Sequence, residues 1–205
     1  MSVFIKICGL RDAECVMAAV AAGANAVGFV FADSVRRIST DRANAVCRNV
    51  PAGVQRVAVM RHPSNEQWQS VLAGFAPDVL QSDVDDFEKL DVPAHVVAWP
   101  VIREGSSRAA GTMPEVFVYE GRNSGAGETV DWSDAAHLAN RGRMILAGGL
   151  AASNVTAAIQ KARPWGVDVS SGVESSPGEK DVELIRQFIG AVRAAENKDE
   201  VATAG

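Results

Sequence analysis

Short apolar runs alternate with helix-patterned segments along almost the whole chain, and this alternation restricts the fold more than any other feature. Strand-like runs fall at residues 3–7, 26–31, 54–60, 78–81, 94–101, 115–120, 144–147 and 166–169. Between them, apolar residues recur at i, i+3, i+4 and i+7, the spacing of one helix face. The clearest such stripes are Ala13/Val16/Met17/Val20, Ala43/Val46/Cys47/Val50, Trp68/Val71/Leu72/Phe75, Val155/Ala158/Ile159/Ala162 and Val182/Ile185/Ile189/Val192. Strands separated by helices pair in parallel, and eight such units with about seven helical segments predict a closed (β/α)8 (TIM) barrel. An open doubly wound sheet competes less well, because no glycine fingerprint follows the first strand. Residues 102–114 are polar and contain glycine, so a loop is predicted in place of the fifth helix. The barrel is expected to span residues 1–195 as one domain, with a polar, frayed tail at 196–205.

Composition narrows the function. The formal net charge of −5 argues against nucleic acid as a partner, which normally requires a basic face. Cys8, Cys15 and Cys47 lack the paired short spacings of a structural zinc site, and their odd number suits a reduced, cytoplasmic protein. No basic-then-apolar leader precedes Val3, and no apolar run approaches the ~18 residues that span a bilayer. A monomer working on a small molecule, with no membrane partner, is expected.

In a barrel the functional groups gather where strands run into the following loops. That rule selects Lys6, Cys8, Arg36, Gln81, Asp83, Glu120, Asp131, Asp168, Ser170 and Ser171. Two strand ends break into small residues: Ala147-Gly148-Gly149-Leu150 and Val169-Ser170-Ser171-Gly172. Exposed amides at such turns favour an anion, so Gly148, Gly149, Ser170, Ser171 and Gly172 are read as one phosphate cradle, against the alternative of ordinary βα turns. Cys15 and Cys47 fall on helix faces and read as packed small hydrophobes. Cys8 instead ends the first strand, where it is either a reactive thiol or a buried structural one.

The chain resembles the phosphoribosylanthranilate isomerase family of tryptophan biosynthesis. The resemblance is carried by Lys6-Ile7-Cys8-Gly9-Leu10, the stretches 23–31 and 34–39, Val130-Asp131-Trp132-Ser133, Ala147-Gly148-Gly149-Leu150, Arg163-Pro164, and Val167 to Glu174 followed by Pro177-Gly178 and Lys180-Asp181. It implies an Amadori rearrangement of a phosphoribosyl anthranilate without metal or cofactor, with Cys8 as general base and Asp131 as general acid. Arg36 is implied to hold the anthranilate carboxylate, and Gln81 and Asp168 to contact substrate. Cys8 and Asp131, both at strand ends, are expected to face each other across the mouth. An unperturbed thiol is only ~3% thiolate at pH 7, so Cys8 needs a cationic neighbour, for which Lys6 is a candidate. An unperturbed aspartate is protonated about one time in a thousand, so burial beside Trp132 and the substrate carboxylate are expected to raise Asp131. The residues themselves leave open that Asp131 is a helix N-cap, Arg36 an exposed loop arginine and Asp168 a structural pair.

Two stretches depart from the family pattern. Gln81-Ser82-Asp83-Val84 stands where relatives carry Gln-Leu-His-Gly, placing a carboxylate near an anionic substrate. Ser124-Gly125-Ala126-Gly127 replaces Gly-Gly-Thr-Gly in a loop that, with Glu120, is a candidate lid. A related phosphosugar barrel with another substrate, or a catalytically impaired relative, is the competing reading.

Overall fold

The computed structural model of the protein describes residues 2–110, 112–122, 127 and 129–203. Eight parallel strands close on themselves in chain order: β1 (Phe4–Cys8), β2 (Ala26–Val30), β3 (Gln55–Val59), β4 (Val79–Asp83), β5 (Val97–Arg103), β6 (Val116–Glu120), β7 (Arg143–Leu146) and β8 (Gly166–Val169). The seam is the β1–β8 pairing, which sets Phe4 opposite Gly166 and Lys6 opposite Asp168. Around the barrel run α1 (Ala13–Ala22), α2 (Thr40–Cys47), α3 (Asn65–Phe75), α4 (Trp132–Ala139), α5 (Val155–Ala162) and α6 (Val182–Thr203). A short antiparallel ribbon, β9 (Glu174–Ser176) and β10 (Glu179–Lys180), interrupts the last crossover.

Helix ends follow from local chemistry. Asp12, Ser39 and Ser64 cap α1, α2 and α3 by accepting the amides of Cys15, Arg42 and Gln67. Gly23 ends α1 in the left-handed region at φ 102°, where a side chain would be strained.

The expected loop after β5 is present, with only a 3-10 turn at Ser107–Ala110. The helical count is lower than expected because the acidic segment after β4 is also a single 3-10 element, Val84–Glu88. Its Asp85-Asp86 pair and absence of an apolar helical stripe explain why it stops there. The segment expected as a frayed tail is helical: α6 continues to Thr203. Alanine, glutamate and lysine at 194–200 are strong helix formers, and Glu196 accepts hydrogen bonds from Val3 N–H and from Arg193 at 2.8 Å.

Strand periodicity sorts the side chains into two sets. One parity packs outward beneath the helices: Ile5, Ile7, Phe29, Leu80, Ile102, Phe117 and Leu146 join Trp68, Phe75 and Phe188 in a single core. The other parity fills the barrel. Ala26, Val57, Val79, Trp99, Val101, Val118 and Ile145 form its lower layers, over a floor where Phe4 stacks on Trp165 at 4.6 Å and meets Trp99 edge-on at 5.6 Å. The same parity continued upward places Cys8, Gln81, Asp83, Arg103, Glu120 and Asp168 at the carboxyl ends of the strands. The apolar floor therefore forces polar chemistry to one end.

Trp68 is fully buried and its indole N–H donates to Asp91 O at 2.9 Å. Trp68→Ala is expected to lower stability by about 3–5 kcal/mol without changing the fold, measured by denaturant unfolding.

Candidate active site

A small cavity of about 140 Å³ opens among the strand ends. Its lining includes Cys8, Arg36, Gln81, Arg103, Glu120, Asp168 and Ser170. Six strands or their loops contribute these groups, so the polar parity of the barrel converges on one bowl. A larger open groove of about 980 Å³ lies beside it, between the loop after β2 and α3, and shares Ala32, Asp33, Met60 and Arg61 with it.

At the seam, Lys6 is fully buried and its Nζ lies 2.9 Å from Asp168 Oδ2. Gly28, opposite Cys8 on β2, leaves room for them: a Cβ there would stand 3.1 Å from Cys8 Sγ and 3.2 Å from Lys6 Nζ. Thiol and ammonium thus share one space. Burial pushes the Cys8 thiol up, Lys6 opposes that, and Asp168 adds to it, leaving a net rise. Burial pulls Lys6 down, but Asp168 and Cys8 outweigh it and hold the ammonium charged. Lys6 is therefore the cation that the thiol needs, already matched by a carboxylate. Gln81 Oε1 and Asp168 Oδ1 are buried and have no hydrogen-bonding partner among the described residues. A buried acceptor without a donor costs free energy until a ligand supplies one.

Arg36 lies in the cavity wall rather than on a free loop. Glu174 clamps it through two bonds, Nε–Oε1 at 2.7 Å and Nη2–Oε2 at 2.9 Å. Lys180 Nζ closes the group, reaching Glu174 Oε1 at 2.6 Å and Ser170 O at 2.9 Å. Glu174 and Lys180 are 4% and 1% exposed at their side chains. Sequence reasoning included both in the final motif but gave them no role. Their signal was the Glu-to-Lys spacing across a Pro-Gly turn, which only the β9–β10 ribbon turns into a contact. Gly9, at φ 74°, makes the approach possible: a Cβ would lie 2.8 Å from Arg36 Cδ and 3.1 Å from Ser170 Oγ.

The turns after β7 and β8 lie side by side. Gly148 and Gly149 both adopt positive φ, at 93° and 59°. The loops after β7 and β8 are joined by a parallel bridge between Ala151 and Gly172. A Cβ on Gly172 would collide with the Leu150 carbonyl, so glycine is obligatory there. Gly148, Gly149, Ser170, Ser171 and Gly172 are half-buried, open on one side. Gly127, from the candidate lid, sits against Ser171, where its Cβ would be 3.5 Å from Oγ; Ser124, Gly125 and Ala126 lie outside the described residues.

Asp131 stands apart. It is exposed and N-caps α4, accepting the Ser133 amide at 2.6 Å, and it is not in the cavity lining with Cys8. The Ser133 bonds hold its carboxyl below the ordinary aspartate value. The expected rise beside Trp132 is thus absent, because capping favours the charged form and the group is open to solvent.

A (β/α)8 barrel whose strand-7 and strand-8 turns join beside buried cations and a strand-end thiol has the architecture of the phosphosugar enzyme barrels. The family model described as N-(5'phosphoribosyl)anthranilate (PRA) isomerase matches residues 5–191. The chain belongs to that family. The Listeria monocytogenes N-(5'-phosphoribosyl)anthranilate isomerase is 36% identical over 205 residues, covering 94% of this chain and 99% of the relative. The crystal structure of phosphoribosyl anthranilate isomerase from Thermotoga maritima superposes with a TM-score of 0.82 at 30% identity, covering 94% and 99% of the two chains. A second such structure, in complex with reduced 1-(o-carboxyphenylamino)-1-deoxyribulose 5-phosphate, gives 0.79 at 31% identity over 94% and 99%.

The clamp predicts an acid limit to stability. Burial raises the Glu174 carboxyl, but bonds from Arg36 and Lys180 outweigh it and bring it to about 2, from an ordinary 4.5. A carboxyl lowered in the fold stabilises it above the unfolded value, and that contribution is lost as pH falls towards the folded one. Denaturation midpoints are therefore expected to drop between pH 4.5 and about 2, and Glu174→Gln should flatten that slope.

Proposed function

We propose that this chain converts N-(5'-phosphoribosyl)anthranilate into 1-(2-carboxyphenylamino)-1-deoxyribulose 5-phosphate. The observation that carries this is the meeting of Cys8, Arg36 and Ser170, from three separated motifs of the family, in one cavity beside the β7–β8 cradle. The chemistry needs a proton on the furanose ring oxygen, which breaks the ring C–O bond and gives a Schiff base. A base then removes the C2′ proton, the electron pair moves into the cationic imine, and the resulting enolamine tautomerises to the ketone. The imine is the electron sink, so acid and base suffice without metal or cofactor.

In this reading Cys8 is the base. Burial raises its thiol in the free chain, so the thiolate that takes the proton is a minority form, favoured by the charged Lys6 that Asp168 keeps oriented. Asp131 is the acid, and to act it exchanges the Ser133 amide for the substrate, gaining its proton in the desolvated complex. Gly148, Gly149, Ser170, Ser171 and Gly172 hold the phosphate. Glu174 occupies the Nε edge of Arg36, so the Nη1 side of the guanidinium meets the anthranilate carboxylate. The unpaired Gln81 Oε1 and Asp168 Oδ1 accept from the ribose hydroxyls. No helix among the described residues is long and apolar enough to cross a membrane. Val35 and Val97 are the large hydrophobics exposed among the described residues, which supports a monomer, read here as cytoplasmic.

Complementation of a tryptophan auxotroph lacking this step is expected to succeed, with loss of substrate fluorescence giving the rate. A folded chain that neither complements nor consumes substrate would favour the impaired-relative reading. Cys8→Ser and Asp131→Asn should each lower kcat by roughly 10²–10⁴-fold while leaving the unfolding transition intact. Near-normal kcat in either variant removes that residue from its role.

A further inference from the structure

The carboxylate that this chain places at the end of β4 is not left facing the substrate. Asp83, Arg103 and Glu120 end three neighbouring strands, β4, β5 and β6, with Arg103 in register with Glu120. Arg103 lies between the two acids. Its Nε and Nη2 reach Asp83 Oδ1 at 2.8 and 2.7 Å, and its Nη1 reaches Glu120 Oε2 at 2.7 Å. The side chains of Asp83, Arg103 and Glu120 are 12%, 20% and 15% exposed, so solvent screens them only in part.

The far side of Asp83 is engaged as well. His62 Nε2 stands 3.2 Å from Asp83 Oδ2, and Arg61 Nε 3.9 Å from the same oxygen. His62 Nδ1 reaches Asp86 Oδ1 at 3.1 Å, its N–H donates to Asp86 Oδ2 at 3.0 Å, and Ser82 Oγ donates to that oxygen at 2.5 Å. His62, Asp83 and Asp86 bring possible metal-ligand atoms within 4.8 Å of one another. One ring nitrogen is hydrogen-bonded to Asp86, the other lies 3.2 Å from Asp83, and Asp83 is bonded to a guanidinium, which opposes a dication. The cluster is an ion-pair network. Ser82 and Asp83 thus belong to one solution: the serine and Asp86 secure His62, and His62, Arg61 and Arg103 surround Asp83.

Arg103 and Glu120 line the same cavity as Cys8, Arg36 and Asp168. Their charge is therefore felt by whatever binds there. Without Arg103, this part of the cavity wall would lose a positive charge and turn more acidic towards a ligand that carries both a phosphate and a carboxylate. We propose that Arg103 is a specificity-determining residue: it is the cavity-lining counter-charge that shields an anionic substrate from Asp83, which it binds and which lies outside the cavity lining. Asp83 in turn is a positioning residue, fixing the guanidinium at the rim through its Nε–Nη2 edge. The inference rests on the isomerase reading only for the anionic character of the substrate.

The test is steady-state kinetics on N-(5'-phosphoribosyl)anthranilate with R103M, D83N and the double variant. One charge lost roughly 8–10 Å from a ligand, at an effective dielectric near 20, corresponds to about 15–30-fold in binding. R103M is therefore expected to raise KM by about 10–100-fold with kcat within about threefold, and added salt should shrink the defect. D83N in the R103M background should recover KM by at least about threefold, since the carboxylate that Arg103 had paired is gone. An R103M variant with KM within twofold of the parent, a loss in kcat instead of KM, or no recovery in the double variant would each overturn the proposal. Should R103M fail to fold, D83N alone decides, because Arg103 then faces one acid: KM should fall by about threefold, and an unchanged or increased KM counts against the proposal. Failure of the acid–base assignment appears separately, in kcat of the Cys8 and Asp131 variants.

Discussion

The buried ion pair between Lys6 and Asp168 is the interaction on which the rest of the site depends. It crosses the β1–β8 seam at 2.9 Å, where the barrel closes. Taking both charges out of water is costly, and each is tolerated only because the other is present; loss of one partner from such a pair costs about 3–5 kcal/mol. The pair also fixes the electrostatics above it. Cys8 stands two residues beyond Lys6 on the same face of β1, and Ser170 two beyond Asp168 on β8, so closure brings thiol, cation and the serine-glycine turn to one point. Ser170 Oγ donates to Cys8 O at 3.2 Å, a second stitch across the same seam.

Four acidic groups of the mouth are paired with a basic one before any substrate arrives. Lys6 answers Asp168, Arg36 and Lys180 answer Glu174, and Arg103 answers Asp83 and Glu120. A preorganised field of this kind needs little rearrangement when an anion binds, which favours differential stabilisation of charge as it develops. Glycine recurs where backbone and side chain must approach: Gly9 beneath Arg36, Gly28 beneath Cys8 and Lys6, and Gly172 against Leu150. Remote segments therefore share one small volume through missing Cβ atoms as much as through complementary charge.

The outline of the fold was legible because both periodicities are strong. Helical stripes and apolar strands alternate in the sequence, and parallel pairing follows from that alternation. The acidic segment after β4 carries no apolar stripe, and it forms a single 3-10 turn in place of a helix. Cys8, Arg36, Gln81, Asp168 and Ser170 were found by their position at strand ends, and the structure brings them into one cavity. Glu174, Lys180 and Arg103 were not given roles, because each acts through a partner that is remote in the chain or on another strand. Asp131 shows the converse: a local rule, the N-cap, describes its observed contact better than its place in a functional motif does.

The sequence by itself determined the barrel, the parity of its strands and which chemical groups stand at their carboxyl ends, because these follow from local periodicity and strand geometry. Only the tertiary structure decided how those groups pair: that Lys6 serves Asp168 and Cys8, that Glu174 holds Arg36, and that Arg103 covers Asp83. Pairing depends on distances between residues as much as 162 positions apart in the chain, and no local pattern encodes them. They are fixed when the barrel closes and buried charges must find partners.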